Sequence, residues 1–133
     1  METQNLKNLK IVDKLLSREE VGEMLSRADA LILPLKFQKP YRGMSSKLYE
    51  YQAVGKPIIC CGRGVPLSYV IDTNSGLVVD PGDYRALAKA VLHLKENPTL
   101  CRIMGENGRK CVEDESSIHA IGLRMKELCE SRF

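Results

Sequence analysis

The stretch from Arg42 to Pro57, RGMSSKLYEYQAVGKP, constrains this chain more than any other. A glycine turn, two hydroxyls and a lysine stand directly before a short amphipathic segment, which Gly55, Lys56 and Pro57 then close. Glycine after a last helical turn with proline just beyond is a stop signal, and the apolar run Ile58 to Cys61 reads as a buried parallel strand. A helix that starts here leaves its first backbone N–H groups unpaired and its positive dipole end outward, which together make a seat for a phosphate. Ser45 or Ser46 caps it, and Lys47 adds a flexible positive charge. Glu50 follows Ser46 by four residues, so it stands roughly 6 Å further along the axis. Phosphates at the helix start and a ribose diol on the Glu50 carboxylate would match the span of a nucleoside diphosphate. The plainer account of Lys47 and Glu50, three apart on one helix, is a surface ion pair. Arg42 reads either as a solvated loop residue or as a phosphate or carboxylate clamp.

The rest of the chain alternates strands and helices. Residues 9–16, LKIVDKLL, have strand character around Ile11 and Val12. Ser17 and Glu20 form a capping box ahead of a helix ending near Arg27, with Val21, Met24 and Leu25 on its apolar face. The run ALILPL after Asp29 reads as a buried strand stopped at or shortly after Pro34, and residues 36–44 form a polar loop leading to the helix at 46–54. Gly62 and Gly64 mark either a plain turn or a loop bordering a ligand crevice, since ligands of open α/β sheets sit beyond the carboxyl ends of the strands. A helical turn at 66–71, a strand at Leu77–Val79 and a helix from Tyr84 to about Lys95 with Asp83 as N-cap come next. Pro98 suits the first position of another helix. Ser116 or Ser117 opens the last one, whose stripe Ile118, Ile121, Met125 and Leu128 reads as core. The alternation predicts a Rossmann-like doubly wound parallel sheet with flanking helices.

With 133 residues the chain suffices for one domain, residues 1–133, with its own core. A net charge of +3 and ordinary aliphatic content give no sign of a nucleic-acid-coating, fibrous or disordered protein. No apolar run is long enough to span a bilayer and the start METQNLKNLK lacks a signal peptide's apolar core, so the expected location is cytoplasmic. Five cysteines without C-x-x-C spacing read as reduced structural thiols, and adjacent Cys60 and Cys61 point to opposite faces of their strand. His93 and His119 have no partner at ligand spacing, so no metal site is expected.

The segments S-K-L-Y-E-Y-x-A-x-G-K-P and S-G-L-V-V-D-P-G-D resemble the group 1 (family 4) glycosyltransferases, retaining enzymes of the GT-B fold that use nucleotide-sugar donors. Glu50 matches the second glutamate of the family's pair, which holds the donor ribose. Arg42 stands eight places earlier, where the family has the glutamate that faces the donor sugar. Gly43 matches the first glycine of the family's Gly-aromatic-Gly turn, Met44 follows it, and Ser45 takes the place of the second glycine. Some members that make bacterial surface polysaccharides carry a similar S-K-L-Y-E version.

The resemblance implies a donor site of Arg42, Gly43, Met44, Ser45, Ser46, Lys47 and Glu50, a UDP- or GDP-type sugar as substrate, and no separate cofactor. It assigns no catalytic residue: on one face of the sugar the leaving phosphate takes the acceptor proton, so no general base is needed. It also implies that two further strands, a helix with a phosphate-neutralising arginine and lysine, and a whole N-terminal acceptor domain lie outside this chain. In strand order 3-2-1-4-5-6 the absent strands fall between those at 11 and 31, so these two pair directly or another chain covers the exposed edges. Two rivals to a donor-binding part stand beside it: a non-catalytic nucleotide-binding or assembly module, and a flavodoxin-like regulator alike by convergence.

Overall fold

Three apolar runs of four residues make the sheet: β1 (Leu31–Pro34), β2 (Ile58–Cys61) and β3 (Gly76–Val79). They run parallel in the order β1-β2-β3, with Leu31 opposite Ile58 and Ile58 opposite Gly76. The computed structural model describes residues 6–35 and 42–132. Its helices are α1 (Arg18–Arg27), α2 (Ser46–Ala53), α3 (Val65–Asp72), α4 (Tyr84–Glu96), α5 (Pro98–Cys111) and α6 (Ile118–Arg132), with a π-helical turn at Val112–Ser116 joining the last two.

Successive strand residues face opposite sides, so the central strand IICC feeds two layers. Ile58 and Cys60 pack with Leu33, Leu48 and Val70 on the side of α2 and α3. Ile59 and Cys61 pack with Val79, Leu94 and Met104 on the side of α4 and α5. Every residue of β2 is buried, as expected of a strand covered on both faces. Each fully buried Leu, Ile or Val contributes about 1.5–3 kcal/mol relative to exposure. The doubly wound arrangement is therefore present, and it fixes the rotation of α2. Leu48 and Gln52, one turn apart, are 0 % exposed, whereas Ser46, Lys47 and Glu50 face outward. Gly55 ends the helix at φ 70, in the left-handed region.

Two expectations are corrected. No strand forms around Ile11: residues 9–16 have no regular structure, Ile11 is 78 % exposed and Leu15 fully so. A short apolar run becomes a strand only when a neighbour takes its hydrogen bonds, and among the described residues β1 pairs with β2 alone. Direct pairing of the segment at 11 with β1 is thus excluded in this chain. The stripe on α6 is also not core, since Ile118 is 92 % exposed and Ile121, Met125 and Leu128 are exposed as well. That helix packs chiefly on the π-helical turn, and spacing alone does not supply a covering surface. Likewise α1 forms with its capping box, yet none of its residues is buried. Most of the loop before Gly43, residues 36–41, lies outside the described residues.

Candidate functional site

Each strand hands the chain to a helix whose amino end lies at the carboxyl edge of the sheet; the amino ends of these helices and of α1, which precedes β1, differ in how they are closed. At α1 the Ser17 and Glu20 side chains cap each other's backbone, with Glu20 N–H donating to Ser17 Oγ at 3.2 Å and Ser17 N–H to Glu20 Oε2 at 2.8 Å. At α4 the Asp83 carboxylate accepts from Ala86 N–H at 2.9 Å. At α2 no side chain does this. Ser45 occupies the N-cap position with φ −85 and ψ 128, but its hydroxyl makes no capping bond.

The sequence expectation that Ser45 or Ser46 caps α2 through its side chain is thus corrected, for a backbone reason. Leu48 N–H, one of the two donors an N-cap hydroxyl can satisfy, bonds instead to the Ser45 main-chain carbonyl at 3.0 Å. Ser46 falls inside the first turn. The N–H groups of Ser46 and Lys47 have no acceptor among the described residues, and both side chains are exposed.

Nor do Lys47 and Glu50 pair: no ion pair joins them among the described residues. The Glu50 carboxylate stands exposed one turn along. Its charge is felt by Tyr51, whose phenol is pushed upward first by burial and then by Glu50. Before the helix, Arg42 and Gly43 are exposed, while Met44 is half-buried and packs against the layer of Leu33 and Leu48. Met44 therefore anchors the turn, and of the seven expected site residues its side chain is the one turned furthest inward. Tyr49 packs edge-on against Tyr69 with ring centroids 6.0 Å apart.

The loop after β2 is drawn in against Leu35, just past the end of β1. A side chain at Gly62 would come within 2.8 Å of Leu35 Cβ, and Gly64 has φ 107, so both positions need glycine. Gly64 also leads α3 without a side-chain cap.

The other end of α2 holds residues that sequence reasoning passed over. Gln52 is wholly buried, with its Nε2 donating to Ser75 Oγ at 3.2 Å, while its Oε1 has no partner among the described residues. An unsatisfied buried acceptor costs about 1–3 kcal/mol. Gly105 and Gly108 of α5 close over this end: a Cβ on Gly105 would strike the Gly55 carbonyl, and one on Gly108 would lie 3.1 Å from Gln52 Cγ. The signal available in sequence was the polar Gln52 on an otherwise apolar inner stripe, together with the G-x-x-G spacing in α5. At the opposite, amino edge of the sheet a groove of about 980 Å³ opens between β1 and helices α4 and α5, lined by Ile32, Ile59, Val91, Leu94 and Cys101.

The parallel sheet with helices on both faces defines a Rossmann-like α/β domain. The chain belongs to the group 1 glycosyltransferases, the family description "Glycosyl transferases group 1" matching residues 2–111. It is 29% identical over 124 residues to the GDP-mannose-dependent monoacylated alpha-(1-6)-phosphatidylinositol monomannoside mannosyltransferase of Corynebacterium glutamicum, covering 89% of this chain and 32% of the relative. It is 30% identical over 79 residues to the capsular polysaccharide biosynthesis glycosyltransferase CapM of Staphylococcus aureus, covering 59% of this chain and 21% of CapM. Among solved structures it resembles the GT-B sucrose-phosphate synthase of Thermosynechococcus elongatus with TM-score 0.67 and 30% identity, covering 81% of this chain and 26% of that one. The chain thus spans about a third or less of the length of these relatives.

Proposed function

We propose that this chain is the donor-binding part of a retaining glycosyltransferase that transfers a hexosyl-type sugar from a UDP or GDP donor. The observation that carries this reading is the amino end of α2, where the N–H groups of Ser46 and Lys47 meet no acceptor among the described residues, and Glu50, without an ion-pair partner among them, follows one turn later. The helix end, Lys47 and Arg42 would hold the pyrophosphate, and Glu50 would hold the ribose. As the sugar–phosphate bond breaks, negative charge grows on the departing phosphate, where fixed donors at a helix end stabilise it without reorganising. Gly43, Met44 and Ser45 would shape the turn that brings the donor to this end. The reading requires no metal and no cofactor beyond the nucleotide sugar. It assigns no residue of this chain to proton transfer.

The acceptor would bind a further domain. Two features support a partner segment at the sheet: β1 has no second neighbour among the described residues, and Ile32 on it is 42 % exposed beside the groove under α4 and α5. We take a cytoplasmic location with this reading; no described helix is long and apolar enough to cross a membrane.

Titration calorimetry with UDP, GDP and their sugars tests the assignment. Binding that disappears in Glu50→Ala supports it, and a folded chain with no heat from any nucleotide would sink it. A second reading is a non-catalytic nucleotide-binding or assembly module with the same fold, for which the same helix end would serve. Sugar transfer by the chain alone would exclude the module.

A further inference from the structure

We propose that Gln52 is a positioning residue for the nucleotide site on α2. Its amide sets the rotation of the helix and so the direction in which Glu50 points. This inference rests on the donor-site reading and adds to it the element that holds the site in place.

Three hydroxyl and amide side chains form a one-way relay beneath the helix that ends on a main-chain carbonyl. Thr73 Oγ1 donates to the Tyr69 carbonyl at 2.7 Å, which uses its proton. The Ser75 hydroxyl, 2.9 Å from Thr73 Oγ1, must then donate to Thr73. Ser75 Oγ is left to accept, and Gln52 Nε2 donates to it at 3.2 Å. The relay therefore dictates which way the amide is turned, and Oε1 is left without a partner in a fully buried position. Its fixed end is firm. Ser75 is held by backbone bonds to Ile58 and Val70, and the turn before it is held by Asn107 Nδ2, which donates to the Asn74 carbonyl at 3.1 Å.

An apolar residue of similar volume at position 52 would fill the same space and leave no orphaned acceptor. What it would lose is direction. Apolar contacts such as those of Leu48 hold a helix against a sheet but tolerate small rotations, whereas a hydrogen bond weakens steeply when misaligned. Gln52 and Glu50 are two residues apart, about 200° around the helix at 3.6 residues per turn, so an inner anchor at 52 swings the outer carboxylate directly. The bare Cα of Gly108, which leaves only 3.1 Å to Gln52 Cγ for any added Cβ, holds the anchor from behind. The arrangement gives up stability at the buried end of the helix and gains a fixed orientation at the exposed end.

The test compares the unaltered chain with Gln52→Met, which keeps the volume, and Ser75→Ala, which keeps the glutamine and removes its acceptor. UDP and GDP affinity, urea midpoint and amide hydrogen exchange are measured for each. Gln52→Met is expected to keep the wild-type midpoint or raise it, to weaken nucleotide binding about tenfold, and to speed exchange of the α2 amides from Glu50 to Val54 about tenfold while β2 is unchanged. Ser75→Ala is expected to shift binding and exchange in the same direction, and so covers the case in which Gln52→Met does not fold. Unchanged affinity in both variants, with wild-type binding present, would overturn the positioning role and leave the donor site standing. Failure of the unaltered chain to bind any nucleotide would overturn the donor site, and the positioning role with it.

Discussion

The two ends of α2 are built to opposite specifications. At the amino end nothing in the described protein satisfies the backbone N–H groups of Ser46 and Lys47, and the side chains of Ser46, Lys47 and Glu50 stand outward. At the carboxyl end, two turns away, Gln52 is buried against Ser75, Gly55 takes a left-handed turn, and two glycines of α5 press the helix onto the sheet. On the proposed reading one end would receive a ligand and the other would hold its geometry, so substitutions at the two ends should differ in what they change.

The largest effect should come from Leu48→Ala, which empties a fully buried position in the layer shared with Leu33 and Val70. Chemical denaturation should show a loss of about 2–5 kcal/mol, and a loss comparable to an exposed site would mean that α2 is not anchored there. Next is Glu50→Gln, which keeps the shape and removes the charge. Affinity for UDP or GDP should fall by roughly 1.5–3 kcal/mol, as for hydrogen bonds to a charged group, with an unchanged denaturation midpoint; a change in stability without a change in affinity would reverse the comparison. Gly105→Ala pushes a Cβ onto the Gly55 carbonyl, and overpacking of this kind costs about 1–3 kcal/mol. The smallest effects set one helix start against another: Asp83→Ala should cost about 1 kcal/mol because the carboxylate caps α4, whereas Ser45→Ala should stay within about 0.5 kcal/mol because its hydroxyl caps nothing. Equal losses for this last pair would show that the start of α2 is closed after all.

What could be read in the sequence was what local chemistry settles. The Ser17 box, the Asp83 cap, the Gly55 stop and the apolar run at 58–61 each act through neighbours a few residues away, and each is present. What could not be read depended on distant partners. Ile11 and Val12 have the composition of a strand but no strand beside them, and the stripe on α6 has the spacing of a core without a covering surface. At the site, the outward placement of Lys47 and Glu50 followed from helical periodicity. The idle hydroxyl of Ser45 did not, because the choice between a side-chain and a main-chain cap is made by backbone angles. The burial of Gln52 escaped because the groups that surround it, Ser75 and Gly108, stand far along the chain.

Cys60 and Cys61 are neighbours in the chain yet belong to different sides of the sheet, one under α2 and α3 and the other under α4 and α5. Burial and the adjacent thiol push the Cys60 thiol up to about 11, and burial raises Cys61 too, so neither reacts readily while its cover is in place. The molecule thus carries its own pair of chemical clocks: pulsed alkylation read out separately at the two sulfurs would report which half of the sandwich loosens first, without any residue being changed.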